Sequence, residues 1–197
     1  MRSIKIWGDD PSERQIADIA DVIDAGGVAV MPTGSIYALV CDALNPKAIA
    51  RICELKRINP EKNSLSMICS GISMAAEYAL FDDAGYKLLK ELTPGAYTVI
   101  FKASRKLPRA LKGRKEIGVR IPEAQTPRKV AEYLGRPLLA ATIEFEEDDY
   151  AINPELIAEN YDGRADLMVE GEEGGTVGTT VIDMTSGEPL VVREGRL

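Results

Sequence analysis

The sequence predicts an α/β domain built on a twisted mixed sheet. Two observations carry that reading. Apolar segments of strand character alternate with amphipathic helical stretches over most of the 197 residues, and no internal repeat or low-complexity linker interrupts them. Apolar residues make up 45% of the chain against 28% charged, enough to bury a sizeable core without disulfides or metal staples. Residues 1–197 therefore read as one domain.

Residues 3–7 alternate as a short strand, and Ile16, Ile19, Ala20 and Ile23 follow at helical spacing. Asp10 as N-cap, Pro11 in the first turn and Glu13 in the capping-box position are expected to open that helix, and Gly26-Gly27 to close it. Residues 28–31 read as a buried strand running into the segment PTGSIYAL. A second helix opens at Asn45-Pro46, carries Ile49, Ile52 and Cys53 on one face, and ends in the basic pair Lys56-Arg57. A strand over 65–69 precedes a helical stretch over 73–92, broken near Asp82-Asp83, and a turn at Thr93-Pro94-Gly95. Tyr97–Ala103 and residues 117–121 are β-branched and aromatic enough to be strands. Thr126-Pro127 is expected to cap a helix ending at Gly135, before an apolar strand over 137–142. Asn153-Pro154 caps a helix through Asn160, and the tail gives three short strands, 167–169, 179–184 and 190–193.

The absence of histidine excludes Ser-His-Asp and Cys-His nucleophile systems and every His-ligated metal site, leaving Lys, Arg, carboxylates, hydroxyls and backbone amides. Cys41, Cys53 and Cys69 are odd in number, form no Cys-x-x-Cys pair and sit among apolar residues, so they read as buried reduced thiols. No stretch approaches the roughly 18 apolar residues of a membrane span. A cytoplasmic setting is the expectation.

Charge is the most uneven property. Residues 102–120 hold eight basic side chains against the single acid Glu116, whereas residues 144–173 hold twelve acids against Arg164, on a chain of net charge -7. Each run reads either as a solvated face or as part of a surface dipole, and a basic patch on an acidic protein fits a local anionic ligand. Four segments are candidates for the chemistry. Thr33, Ser35 and Tyr37 follow a buried strand, where ligands of open α/β sheets commonly sit, although Pro-Thr-Gly-Ser is also an ordinary turn composition. Lys56, Arg57 and Lys62 bracket a loop at a helix C-terminus, converging on a phosphate or simply complementing the helix dipole. Thr142 and Glu144, with the acids at 146–149, offer oxygen ligands to a polyphosphate's magnesium or form a solvated loop. Thr179 and Thr180 lead a strand in the tail, and Arg193 is there either an exposed edge residue or a phosphate fork.

In order along the chain, PTGSIYAL, the ELK-to-Lys62 loop, LTPGAYTVIF, IGVRIP, RPLLAAT, TTVID and VVREG resemble the threonylcarbamoyl-adenylate synthase family of YrdC/YciO type, over nearly the whole chain. TPGAYTVIFKA, LPRAL and PLVVREG look most like its YciO branch. The resemblance implies a mixed sheet around a concave basic cavity. It implies the joining of L-threonine, bicarbonate and ATP into threonylcarbamoyl-adenylate with release of pyrophosphate, for tRNA modification, magnesium accompanying the ATP. It assigns catalytic phosphate contacts to Lys56 and Lys62, nucleotide contacts to Thr142, Thr180 and Arg193, and substrate contacts to Thr33, Ser35, Tyr37 and Arg120, with no metal held by the protein alone. Members have also been assigned double-stranded RNA or tRNA binding, so a module that kept the cavity and lost the chemistry is the competing reading. The chain departs from the family pattern at Gly34, where synthases carry an acid, and at Ile58, where they carry an Arg. It departs again over 140–144, where Ala-Ala-Thr-Ile-Glu replaces Ser-Thr-Ser-Ala-Asn.

Overall fold

A computed structural model describes residues 1–59 and 65–195. The strands are β1 (Arg2–Lys5), β2 (Ala29–Met31), β3 (Ala38–Asp42), β4 (Ser66–Ile68), β5 (Ala79–Leu80), β6 (Tyr97–Ala103), β7 (Glu116–Arg120), β8 (Leu138–Thr142), β9 (Leu167–Glu170), β10 (Thr180–Asp183) and β11 (Leu190–Arg193). The helices are α1 (Glu13–Asp24), α2 (Pro46–Leu55), α3 (Ile72–Tyr78), α4 (Asp83–Leu92), α5 (Gln125–Leu134), α6 (Asp149–Ile152) and α7 (Pro154–Tyr161). The strands join one sheet in the order β1-β9-β2-β3-β8-β4-β7-β6-β10-β11, with β5 paired to β6 off this path. Pairing is parallel for β1/β9, β9/β2, β4/β7 and β6/β10, and antiparallel for the remaining neighbours, so the sheet is mixed.

Helix ends follow local chemistry, with two corrections to the sequence reading. The cap of α1 is Ser12 rather than Asp10, and Gln15 rather than Glu13 closes the capping box, its Oε1 accepting from the Ser12 N–H at 2.9 Å. At α5 the helix begins at Gln125, with Thr126 and Pro127 inside the first turn and no side-chain cap of its own. The Asp9 carboxylate supplies the cap from elsewhere in the chain, accepting from the Gln125 N–H at 2.9 and 3.0 Å. Asn45 caps α2 as expected, its side-chain oxygen accepting from Lys47 and Ala48 N–H. Gly135 ends α5 in the left-handed region at φ 65°.

Two strands are absent from the sequence reading, β3 and the two-residue β5, which interrupts the helical stretch read over 73–92. All five residues of β3 are buried, and the strand pairs antiparallel to β2, Val30 opposite Leu39. A strand buried on both faces shows no alternation, so its periodicity carries no strand signal. The segment 32–37 is therefore the connection of a β2–β3 hairpin.

Two apolar clusters sandwich the sheet, as the two-residue strand period requires. Ile16, Ile19, Ala20 and Ile23 of α1 and Val130 and Ala131 of α5 pack on Ala29, Met31, Ala38, Val40, Leu138 and Leu167. On the other face, Ile49 and Ile52 of α2, Tyr78 of α3, Leu89 of α4 and Ile157 of α7 pack on Val30, Leu39, Leu139, Val99, Phe101, Ile117 and Val119. Among the described residues, the α1/α5 cluster contains no residue of β6, β7, β10 or β11. Of these, β6 and β7 carry the core on one face and a cavity on the other. The three cysteines are free and buried, and burial pushes the Cys69 thiol up to about 12. Among the described residues no helix is long and apolar enough to cross a membrane.

Candidate functional site

The cavity holds about 310 Å³ and opens beside the α1/α5 cluster, with which it shares Ala140, on the same side of β4, β6, β7, β8 and β10. Alternation sets its lining. Val99, Phe101, Ile117 and Val119 enter the core, so Thr98, Ile100, Gly118 and Arg120 face the opposite side and line the cavity. Gly118 makes room, since a Cβ there would lie 3.0 Å from Thr98 Cγ2. Ser66, Thr142 and Thr179 add hydroxyls, Arg114 and Arg193 add positive charge, and Glu116 is the cavity's one acid among the described residues.

Arg120 is the electrostatic centre. It is only 5% exposed at the end of β7, and its Nη2 donates to the Thr33 carbonyl at 3.1 Å and to the hydroxyls of Thr33 and Ser35 at 3.2 Å each. Every one of these partners is neutral, and its Nε has no hydrogen-bond partner. Burial first, and then the repulsion of Arg193, push its pKa down to about 10. Arg193 is held beside it by the Thr179 carbonyl, which accepts from its Nη2 at 3.0 Å and its Nε at 3.3 Å. The Thr98 and Thr179 hydroxyls lie 2.7 Å apart. Two guanidinium groups on a half-enclosed floor, with no acid among the described residues paired to Arg120, make a preformed anion site.

The β2–β3 connection is a wall behind Arg120 and contributes none of the cavity's lining residues. Thr33 is buried, its Oγ1 donating to the Ile36 carbonyl at 3.0 Å, and Gly34 takes φ 78°, which favours glycine. Tyr37 is fully buried. Its hydroxyl donates to the Glu172 carbonyl at 2.9 Å and accepts from the Gly171 N–H at 3.1 Å, pinning the acidic 171–174 segment beside the connection. Burial, opposed by that N–H and aided by Glu170 and Glu172, pushes its pKa up to about 12. Beyond this wall lies a second recess of about 350 Å³ lined by Asp9, Ser35, Glu123, Glu172 and Glu173. Ser35 thus stands between a basic cavity and an acidic recess.

Lys56 ends α2, and its Nζ lies 3.0 Å from Oε1 of Glu144, two residues past Thr142 at the end of β8. The structure therefore brings Arg120, Thr142 and Arg193 onto one cavity, with Thr33 and Ser35 bonded to Arg120. Thr180 alternates to the other face, where its hydroxyl accepts from the Gly195 N–H at 3.0 Å. Lys62 lies outside the described residues. Ser66, Thr98 and Arg114 are lining groups the sequence reading did not select for the site, and Thr179, named with Thr180 in the tail segment, lines the cavity where Thr180 does not. The signal for Thr98 and Thr179 lies in pairing: once β6, β7 and β10 are neighbours, alternation from Arg120 points to them. Among the described residues no group of three Cys, Asp or Glu side chains is placed to hold a metal ion.

A one-sided sheet around a basic cavity defines the class, and comparison places the chain within it. A family model covering Sua5, YciO and YrdC proteins, described as "Telomere recombination", matches residues 21–195, and the chain belongs to this family. It is 36% identical to the uncharacterized protein YciO of Escherichia coli strain K12, over 96% of this chain and 93% of that one. The E. coli YciO crystal structure superposes with a TM-score of 0.89, covering 99% of this chain and 96% of the other. A threonylcarbamoyl-AMP synthase of Pyrococcus abyssi is 27% identical over 94% of this chain and 55% of its own length. The P. abyssi Sua5 structure complexed with L-threonine superposes with a TM-score of 0.88, at 27% identity, over 99% of this chain and 58% of that one.

Proposed function

We propose that the cavity binds ATP and that the protein joins it to L-threonine and bicarbonate, yielding threonylcarbamoyl-adenylate and pyrophosphate. The observation that carries this reading is Arg120, a buried guanidinium with an unpartnered Nε beside Arg193, which calls for an anion. The likeness to a Sua5 that binds L-threonine supports the amino-acid half. In the reaction, the threonine amine adds to the bicarbonate carbon and water leaves, forming a carbamate. A carbamate oxygen then bonds to the α-phosphorus as the bond to the β-phosphate oxygen breaks and pyrophosphate departs. The substrate brings its own nucleophile, so a histidine-free site needs only to align the reactants and stabilise charge on the phosphates. Arg120 and Arg193 supply that charge, Thr142 and Thr179 the hydroxyls. Magnesium, when bound, would neutralise phosphate charge; the cavity's side-chain oxygen donors toward it are Glu116 and the hydroxyls of Ser66, Thr98, Thr142 and Thr179, and the phosphates would supply most of its ligands.

The test is pyrophosphate release from ATP, magnesium, L-threonine and bicarbonate. Release that requires all of them, and falls about 100-fold or more in Arg120→Met, is the expected result. No release, or release indifferent to threonine, overturns the reading. A second reading, RNA binding, is favoured by one observation: Lys102 at the end of β6 and Arg105, Lys106, Arg109, Lys112 and Lys115 along the β6–β7 connection are all exposed. Binding of duplex RNA that weakens steeply with salt supports it, and no binding at low salt removes it.

A further inference from the structure

We propose that β11 is an edge strand fastened by the ligand: the like charges of Arg120 and Arg193 loosen it when no anion is bound, and an anion bridging the two guanidinium groups docks it. The inference rests on the anion-site reading of the cavity and says how that site is regulated. β11 stands at one end of the strand order, with β10 as its one paired neighbour among the described residues. The ladder between them is short and irregular. Leu190, Val191 and Arg193 lie opposite Asp183, Ile182 and Val181, and the register shift leaves Val192 without an opposite residue. All four residues of β11 are exposed, Leu190 by 62%, and none belongs to either apolar cluster. Apolar burial therefore contributes little to holding the strand, and its local opening costs less than that of the core strands.

Polar contacts hold β11 instead. The Thr179 carbonyl accepts from Arg193 Nη2 at 3.0 Å and Nε at 3.3 Å, and the Gly195 N–H donates to the Thr180 hydroxyl at 3.0 Å. The chain after β11 runs close against the approach to β10, where a Cβ at Gly195 would lie 2.3 Å from the Gly178 carbonyl oxygen. These contacts set Arg193 in the same cavity as the buried Arg120, whose charge opposes its own. Arg120 is held from behind by Thr33 and Ser35, so the repulsion falls on the edge strand. A bound anion replaces that repulsion with two attractions. Opening β11 then requires giving up the Arg193 share of the ligand, so binding and docking are coupled and each strengthens the other.

Hydrogen–deuterium exchange of the full chain, read on peptides from β1, β10 and β11 with and without sodium phosphate, tests this. Calorimetric titration with phosphate and with magnesium ATP runs beside it, and thermal melts are the fold control. β1 is the internal reference, an edge strand at the other end of the order that lines no part of the cavity. Without phosphate, β11 is expected to exchange faster than β10. At about ten times the phosphate dissociation constant, β11 should slow about tenfold while β1 stays within about twofold. In Arg120→Met, β11 should exchange about threefold more slowly than in wild type without phosphate, the repulsion being gone, and gain no protection from phosphate. Phosphate binding that leaves β11 exchange unchanged, slowing of β1 by the same factor, β11 as protected as β10 without phosphate, or β11 no slower in Arg120→Met overturns the fastening and keeps the anion site. No phosphate binding overturns both. The ATP arm separates the two proposals: protection of β11 by phosphate without ATP binding keeps the fastening and removes the nucleotide reading, and ATP binding that leaves β11 unprotected does the reverse.

Discussion

Strands β9, β2, β3 and β8 pack into an apolar cluster on both faces, whereas β6 and β7 do so on one and present Thr98, Ile100, Gly118 and Arg120 to a cavity on the other. Both halves belong to one sheet and share the α2, α3 and α4 side of the core. They differ in what covers the second face. Over the first half, α1 and α5 close it with Ile16, Ile19, Ile23 and Val130. Over the second, among the described residues, no helix contributes to the cavity lining, which combines hydroxyls and guanidinium groups with Ile100, Val181 and Glu116. The difference teaches that stability and binding are allotted to separate parts of the same sheet. Substitutions should sort accordingly.

The largest loss of stability is expected in the covered half. Ile19 is fully buried between α1 and the sheet, so Ile19→Ala should destabilise the fold by about 2–5 kcal/mol and leave the anion affinity of the remaining folded protein unchanged. Denaturant unfolding beside phosphate titration measures both. An equal loss of affinity would show that the two halves are coupled. Next in size is Asp166, which precedes β9 and accepts from the Val28 N–H at 2.7 Å and from Arg51. Burial raises its pKa, but the Arg51 guanidinium and the Val28 N–H outweigh that and hold it below the usual carboxylate range. A lowered folded-state pKa stabilises above the unfolded value of about 4, and the contribution is lost as pH falls through the folded one. Asp166→Asn should therefore be less stable than wild type at pH 7, with the gap closing below about pH 4. A gap that does not change with pH would mean that the side chain acts through packing alone.

The amphipathic helices were legible because each buries one stripe. Ile16, Ile19 and Ile23 announce α1, and Ile49 and Ile52 announce α2, without any knowledge of what they pack against. Caps were legible where Asn precedes Pro, as at Asn45 and Asn153, but not at α1, where Ser12 rather than the nearby Asp10 is the cap, nor where the side chain comes from afar, as when Asp9 caps α5. β3 was hidden because burial on both faces erases its alternation. The cavity was legible in part. Arg120 and Arg193 stand out as basic residues at strand ends, but their meeting depends on the order β7-β6-β10-β11, which no short-range pattern encodes. The same holds for Thr98 and Thr179, ordinary strand residues until that order makes them neighbours. The Lys56–Glu144 pair likewise joins a helix end to a distant strand end.

The smallest expected change in stability belongs to the residue that matters most for binding. Because the folded-state pKa of Arg120 is lowered, its charged form is penalised at every pH below about 10, neutral pH included, and only a partner anion relieves the penalty. Replacing a buried charge with an apolar side chain of similar length is often neutral or stabilising, although here Thr33 and Ser35 each lose a donor. Arg120→Met should therefore unfold within about 1 kcal/mol of wild type. The two proteins should separate when phosphate is added. At ten times its dissociation constant, phosphate is expected to stabilise the wild type by about 1.4 kcal/mol, and the variant by none. A variant that loses about 3 kcal/mol or more without ligand would make Arg120 a strut for the β2–β3 connection. One that melts like wild type and ignores phosphate makes the uncovered half of the sheet a binding surface whose charge the fold tolerates for the sake of its ligand.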